Sequence, residues 1–135
     1  MYIYYFSNMA KESELQHYVI EAIKDLSEEP GFPANYCNVA SKHLFDTLKQ
    51  AWQNNIRLQH SYIEPWDWHT YVVLTDEDWT DIILDPTYSQ YDPDYTDWFV
   101  WKHFPDETLE RNRMEQRDFL EKQKEWFKEW VYDNL

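Results

Sequence analysis

Glycine is almost missing from this sequence, whose 135 residues include a single Gly. Ordinary chains contain about 7% glycine. The loops that hold phosphate groups in dinucleotide-binding and P-loop proteins need several glycines, because the backbone must turn tightly beside the ligand. The composition therefore excludes both kinds of phosphate site.

Cysteine is equally scarce, since Cys37 is the one cysteine of the chain. A lone cysteine forms no internal disulfide and cannot build a multi-cysteine zinc site. Long apolar runs are also missing, and the opening MYIYYF is too short and too aromatic for a signal peptide. We therefore expect a protein outside the membrane, either cytoplasmic or exported without a classical signal peptide.

Basic residues are few: 12 Lys and Arg stand against 26 Asp and Glu, for a net charge of −14. Between Glu64 and Pro105 there are ten acidic residues and one basic residue, Lys102, for a local balance of −9. Such a surface repels phosphate backbones, so direct nucleic-acid binding is not expected. It favours a basic protein partner or mimicry of nucleic acid, although solubility alone would also explain it.

Apolar residues, in contrast, are abundant. Hydrophobic residues make up 43% of the chain and aromatic residues 19%, which indicates a folded protein despite the charge. The length suits one domain over residues 1–135, with a core at about 10–100.

The first half of the chain has helical periodicity. Residues 2–6 are expected to form a short strand or an aromatic plug, and 10–26 an amphipathic helix. The proline-rich segment 27–35 breaks it, and a second helix is predicted over 37–53 with Asn35 as its cap. Seven residues would form the inner face of this helix: Val39, Ala40, His43, Leu44, Thr47, Leu48 and Ala51.

The second half begins with extended runs. Three strands are predicted, at 56–63, 68–75 and 79–84. The TDED turn at 75–78 makes the last two antiparallel neighbours, and 85–99 reads as an ordered loop pinned by aromatics. A long charged helix is predicted over about 106–133; its apolar stripe fits packing onto the domain, a partner helix or self-association. The predicted fold class is α+β, with a small antiparallel sheet and a long C-terminal helix.

Three residues carry the chemistry that the sequence suggests. Cys37 lies where a helix begins, and the helix dipole there stabilises a thiolate. His69 begins a strand and Asp85 follows the next one, so the hairpin brings them to the same end of the sheet. The spacing predicts a nucleophile, a base and an orienting carboxylate.

Several neighbours are candidates for binding substrate. The amide of Cys37 is one donor for a developing oxyanion, and the side chain of Asn35 or Gln90 is a second. Trp66 and Trp68 flank the start of the His69 strand, where they either line a substrate groove or anchor the hairpin to the core.

The three segments resemble the transglutaminase-like branch of the papain-like cysteine protease superfamily. The resemblance rests on Cys37 opening a helix, on the run His69-Thr70-Tyr71-Val72 and on Ile83-Leu84-Asp85-Pro86-Thr87, and it covers roughly residues 35–90. It implies a Cys-His-Asp triad, a helix packed on an antiparallel sheet, and chemistry at amide or thioester carbonyls. The superfamily includes peptidases, transglutaminases, deamidases and inactive relatives. This chain departs from papain itself, since no glycine is near Cys37 and no tryptophan follows it.

The leading hypothesis is a cysteine hydrolase or acyltransferase that acts on an amide of a protein or peptide and needs no cofactor. The alternatives are a catalytically inactive acidic interaction module and an adaptor that works through its long helix. Each residue also has a structural explanation: Cys37 as a small buried side chain, His69 as a packed one, Asp85 as a turn starter. A metal site from His60, His69 and nearby acids lacks histidines at ligand spacing and is not expected.

Overall fold

The computed structural model describes residues 2–24, 26–52, 55–95 and 98–134, with side chains from residue 12 onward except at 51 and 52. The described chain forms four α-helices and five β-strands. The helices are α1 (Tyr2–Ile23), α2 (Cys37–Trp52), α3 (Glu107–Arg111) and α4 (Gln116–Asp133). The strands are β1 (Ile56–Glu64), β2 (Asp67–Thr75), β3 (Asp81–Leu84), β4 (Val100–Trp101) and β5 (Arg113–Glu115). Short 3-10 turns lie at Leu26–Glu28 and Tyr88–Gln90.

The strands form one antiparallel sheet in the order β4-β3-β2-β1-β5. The predicted hairpin of β2 and β3 is confirmed, with Val72 opposite Leu84 and Thr75 opposite Asp81. The α+β class, the small antiparallel sheet and the long C-terminal helix are therefore as expected.

Helices α1 and α2 cover one face of the sheet. Ala40, Leu44 and Leu48 recur every fourth residue along α2 and are buried, as an amphipathic helix requires. They pack against Val72 and Leu74, which point to this face because successive strand side chains alternate. The main apolar core lies in this layer.

The opposite face of the sheet is covered by the loop after β3 and by α3. Tyr71 and Val73 point to it and pack with Tyr88, Phe104 and Leu109. Strand β2 is therefore buried on both faces, which explains why its sequence reads as a nearly continuous apolar run.

Two predictions for the N-terminal half are wrong. Residues 2–6 form no strand but the beginning of α1; the alternative of an aromatic plug depends on side chains that lie outside the described residues. On α2, Val39 and His43 are exposed, while Ser41 is buried in their place. The polar Ser41 was overlooked because its burial depends on a hydrogen bond to the sheet. The side chain of Ala51, also predicted on the inner face, lies outside the described residues.

The long helix predicted over about 106–133 is wrong as one continuous element: residues 107–111 and 116–133 are helical, as α3 and α4, but Arg113–Glu115 form β5. Asn112 ends α3, and its side-chain amide donates to the carbonyl of Tyr62 at 2.9 Å. The N–H of Tyr62 in turn donates to the carbonyl of Asn112 at 3.2 Å. These bonds to β1 turn the chain into β5, so tertiary pairing overrides helical propensity there.

Helix α4 packs on β1 beside β5, on the same face of the sheet as α2. Its Phe119 stacks on His60 with ring centroids 4.1 Å apart, and Trp126 contacts Tyr62 at 5.0 Å. In the described part of the chain, no helix combines the length and the apolar character needed to cross a membrane.

Candidate active site

The β2–β3 hairpin brings His69 and Asp85 into direct contact. Nε2 of His69 lies 2.5 Å from Oδ2 of Asp85, and both side chains are fully buried. Asp85 follows the last residue of β3, while His69 is three residues before Val72, the partner of Leu84. The contact therefore follows from the register of one hairpin.

The second carboxylate oxygen of Asp85 is held by the loop that follows. Oδ1 accepts from the backbone N–H of Thr87 at 3.0 Å, and Gln90 Nε2 donates to Thr87 Oγ1 at 3.3 Å. Asp85 is thus the turn starter that the sequence suggested and the histidine partner at the same time. Gln90 was a candidate donor for the oxyanion, but its side-chain amide instead donates to Thr87 and supports this loop.

Strand β3 is too short to pair with the beginning of β2. If the register of β3 is continued past Leu84, Pro86 comes to lie opposite Thr70, and it is the next residue whose backbone groups face β2. Proline has no N–H, so it cannot donate to the carbonyl of Thr70. That carbonyl instead accepts from the hydroxyl of Ser41 at 2.9 Å, in a fully buried contact. This bond docks α2 onto the open edge of β2, one turn after Cys37.

Cys37, the first residue of α2, is half-buried beside His69 and Thr70. Burial opposes ionisation of the thiol, but the hydrogen bond and charge of His69 and the backbone amide of Thr70 outweigh it. Together they lower the pKa of Cys37 even though the charge of Asp85 acts in the other direction. The environment thus favours a thiolate.

The imidazole of His69 is held in its charged form. Burial alone lowers the pKa of His69, but the charge and hydrogen bond of Asp85 and then the contact with Cys37 raise it to about 9. Because Nε2 is taken by Asp85, Nδ1 is the nitrogen left for the thiol. Nδ1 makes no hydrogen bond of standard geometry to any described residue; catalytic hydrogen bonds are often long or poorly aligned before substrate binds.

Donors for an oxyanion are present at the start of α2. The first backbone bond there runs from the N–H of Ala40 to the carbonyl of Tyr36 at 2.9 Å. The N–H groups of Cys37, Asn38 and Val39 come before it and have no acceptor within the helix. Tyr36, and not Asn35, therefore occupies the cap position; Asn35 lies one residue earlier in an exposed turn with a φ of 66°.

Tyr91 belongs to the site but was not identified from the sequence. Its ring meets that of His69 edge-on at 4.8 Å. Burial raises the pKa of Tyr91, and the charges of Cys37 and Asp85 add to this effect. The phenol is therefore neutral and able to donate. Tyr91 follows the Tyr88–Gln90 turn in a loop without helical or strand periodicity, so the sequence pattern does not indicate which way its side chain points.

A polar chain behind Cys37 was also missed. Thr70 Oγ1 is 2.7 Å from Asn38 Oδ1 and 3.0 Å from His60 Nδ1. His60 is buried, with Nε2 lacking a partner among the described residues, and burial followed by the charge of His69 lowers the pKa of His60 to about 4. His60 is thus neutral at pH 7 and links β1 and β2 to the start of α2.

The two tryptophans before His69 have different environments. Trp68 packs against Phe119 and Trp126 of α4 at 5.2 and 6.4 Å, so it anchors the hairpin. Trp66 has a φ of 68°, is 53% exposed, and lines a groove along α4. The groove is lined by neither Cys37 nor His69.

No group of three or more potential metal ligands occurs among the described residues. No family model, no curated protein and no solved structure matches this chain. The functional assignment therefore depends on the chemistry of the site.

Proposed function

We propose that this protein is a cysteine-dependent hydrolase or acyltransferase acting on an amide of a protein or peptide. The observation that carries the proposal is the buried pair of His69 and Asp85, with one imidazole nitrogen bound at 2.5 Å and the other left for Cys37. A packing histidine has no need of a buried carboxylate, whose desolvation is costly. A general base does need one, because it fixes the ring and stabilises the imidazolium.

In the proposed reaction, the thiolate of Cys37 attacks the amide carbon and forms a tetrahedral oxyanion. The first-turn N–H groups of α2 and the hydroxyl of Tyr91 donate to that oxygen. The imidazolium of His69 gives its proton to the departing amine, which leaves a thioester. Water or a second amine then attacks the thioester while the neutral His69 takes its proton, and Cys37 leaves as a thiolate, which restores the thiolate–imidazolium pair.

The substrate we propose is a positively charged protein segment. Asp67 is exposed and shares the face of His69, since it lies two residues earlier on β2. The charges of Asp67 and Asp106 both act on Tyr91. A lysine or arginine near the scissile amide would be attracted to this negative rim, whereas an acidic segment would be repelled.

The arrangement also supports the proposal of a papain-like or transglutaminase-like core. Cys37 begins a helix that packs on an antiparallel sheet, His69 lies on β2, and Asp85 directly follows the adjacent strand β3. We further propose that the protein needs no cofactor and functions in the cytoplasm or after export without a classical signal peptide.

The test is the alkylation of Cys37 by iodoacetamide as a function of pH. Because Cys37 is the only thiol of the chain, the adduct measured by mass spectrometry reports this residue alone. We expect the native protein to react well below pH 8, and faster at pH 6.5 than the same protein unfolded in urea. His69→Ala should remove this advantage.

Two controls define the outcome. Cys37→Ser should give no adduct, and His43→Ala, on the exposed side of the same helix, should react like the wild type. A native thiol that reacts no faster than the unfolded one would overturn the proposal. The acidic interaction module would then be the better account of the chain.

A further inference from the structure

The surface between α4 and the β1–β2 turn contains a groove of about 570 Å³ with an apolar floor and a cationic rim. Trp66, Leu120 and Phe127 form the floor, and each is about half exposed. The groove continues along Trp66 and Phe127 to Trp130. An open aromatic surface of this kind is typical of a binding site for an apolar anchor.

The rim concentrates positive charge on an otherwise acidic protein. Three basic residues and one acid, Glu121, line the groove, for a local balance of +2; the basic residues Arg117, Lys124 and Lys128 are three of only 12 in a chain of net charge −14. Lys124 has an exposed ion pair with Glu121 at 3.5 Å, and Arg117 and Lys128 have none with a described residue. The groove therefore favours an occupant that combines acidic groups with a large apolar side chain.

The turn between β2 and β3 has this combination. Trp79 is 85% exposed and follows the exposed Glu77 and Asp78. Asp76 holds the turn, since its Oδ1 accepts from the N–H groups of Asp78 and Thr80, both at 2.9 Å. The indole is thus presented to solvent on an ordered backbone, which lowers the entropic cost of binding.

The two features cannot meet within one molecule. Trp66 precedes β2 and the 76–79 turn follows it, so a nine-residue strand, about 30 Å long, separates them. We propose that the Trp79 turn of one molecule binds the α4 groove of a second copy, with Glu77 and Asp78 facing the cationic rim. The contact joins two different surfaces, so it produces head-to-tail chains or closed rings. It is independent of catalysis.

The experiment is sedimentation velocity of the full chain from micromolar to millimolar concentration. We expect the weight-average mass to rise with concentration, and Trp79→Ala to weaken the association by at least about tenfold, since buried tryptophans dominate interfaces. Tyr132→Ser is the matched control, because Tyr132 is an exposed aromatic (83%) that lines neither the groove nor the turn.

A charge exchange makes the test specific to this pair of surfaces. Lys124→Glu/Lys128→Glu alone and Glu77→Lys/Asp78→Lys alone should each be monomeric, since the turn and groove then carry like charges. An equimolar mixture should associate again, because each variant supplies the surface that the other needs. Wild-type protein that stays monomeric, or a mixture that does not associate, would overturn the proposal. Association unaffected by Trp79→Ala would do the same.

Discussion

The hydroxyl of Ser41 donates to the backbone carbonyl of Thr70 at 2.9 Å, and both groups are buried. Ser41 lies one helical turn after Cys37, and Thr70 follows His69. This single bond therefore fixes the helix of the proposed nucleophile against the strand of the proposed base.

Ser41→Ala should destabilise the fold by about 1–3 kcal/mol, because it leaves the buried carbonyl of Thr70 without a donor. It should also slow iodoacetamide alkylation of Cys37 in the folded protein, since α2 is no longer held at its distance from His69. The matched control is Thr47→Ala on the same helix. Its hydroxyl donates to the carbonyl of His43 within α2 at 2.9 Å and does not join the helix to β2, so the alkylation rate should not change.

Asp85→Asn should lower the pKa of His69 from about 9, because the charge and hydrogen bond of Asp85 are the main causes that raise it. The thiolate of Cys37 would lose its charged partner, and its alkylation at pH 7 should fall. NMR titration of the His69 ring and the pH profile of alkylation measure the two effects. Asp81→Asn, on the same strand, should change neither, and an unchanged titration in Asp85→Asn would contradict the assignment.

Tyr91→Phe separates stabilisation of the oxyanion from activation of the thiol. Acylation of Cys37 by p-nitrophenyl acetate passes through an oxyanion, whereas alkylation by iodoacetamide does not. We expect Tyr91→Phe to slow acylation by roughly 100-fold or more and to leave alkylation nearly unchanged. Tyr95→Phe, in the same aromatic loop, serves as the control. Equal losses in both reactions would assign Tyr91 a role in packing alone.

Asp67→Asn should reduce the preference for cationic substrates. The measurement compares acylation by the p-nitrophenyl esters of acetyl-lysine and acetyl-glutamate. The wild type should prefer the lysine ester, and Asp67→Asn should weaken this preference. Added salt should weaken the preference of the wild type in the same way, because it screens the charge of Asp67. Asp118→Asn on α4 removes one negative charge but leaves Asp67 and Asp106 beside the active site, so this variant should behave like the wild type.

Buried His60 should make the protein less stable in acid. The pKa of His60 is lowered to about 4, so the unfolded chain binds an extra proton and stability is lost as pH falls from 6.5 towards 4. This acid limb amounts to about 3 kcal/mol. Above pH 6.5 two shifts oppose each other: the raised pKa of His69 gives the folded state one more proton, and the lowered pKa of Cys37 gives it one fewer, so the stability should change little there.

Urea unfolding at a series of pH values measures this dependence. His60→Phe, which keeps a ring against Phe119, should flatten the acid limb and leave the stability profile above pH 6.5 unchanged in shape. A variant with the same acid limb as the wild type would show that other groups cause it.

The sequence predicted the part of the fold that depends on local pattern. The spacing of Ala40, Leu44 and Leu48 marks α2, and the turn after Thr75 sets the hairpin that brings His69 to Asp85. Each of these two signals involves residues that are close together in the sequence, so it can be read without knowledge of distant contacts.

The missed features depend on distant partners. The break at Asn112 is stabilised by Tyr62, fifty residues earlier, and the burial of Ser41 depends on Thr70, 29 residues later. Tyr91 lies in a loop without a repeating pattern, where side-chain directions follow from the packing of Tyr88 and Phe104. Tertiary contacts such as these leave no periodic trace in the sequence.

Pro86 has a consequence for protein design. Because it follows β3 in the register position opposite Thr70 and has no N–H, it leaves the carbonyl of Thr70 without a donor from that side of the sheet. The hydroxyl of Ser41 supplies the missing donor from α2. This bond also places Cys37, the first residue of α2, beside β2. A proline placed two positions beyond a strand's last paired residue, with a serine in the second turn of a neighbouring helix, is therefore a transferable way to attach a helix start to the edge of a sheet.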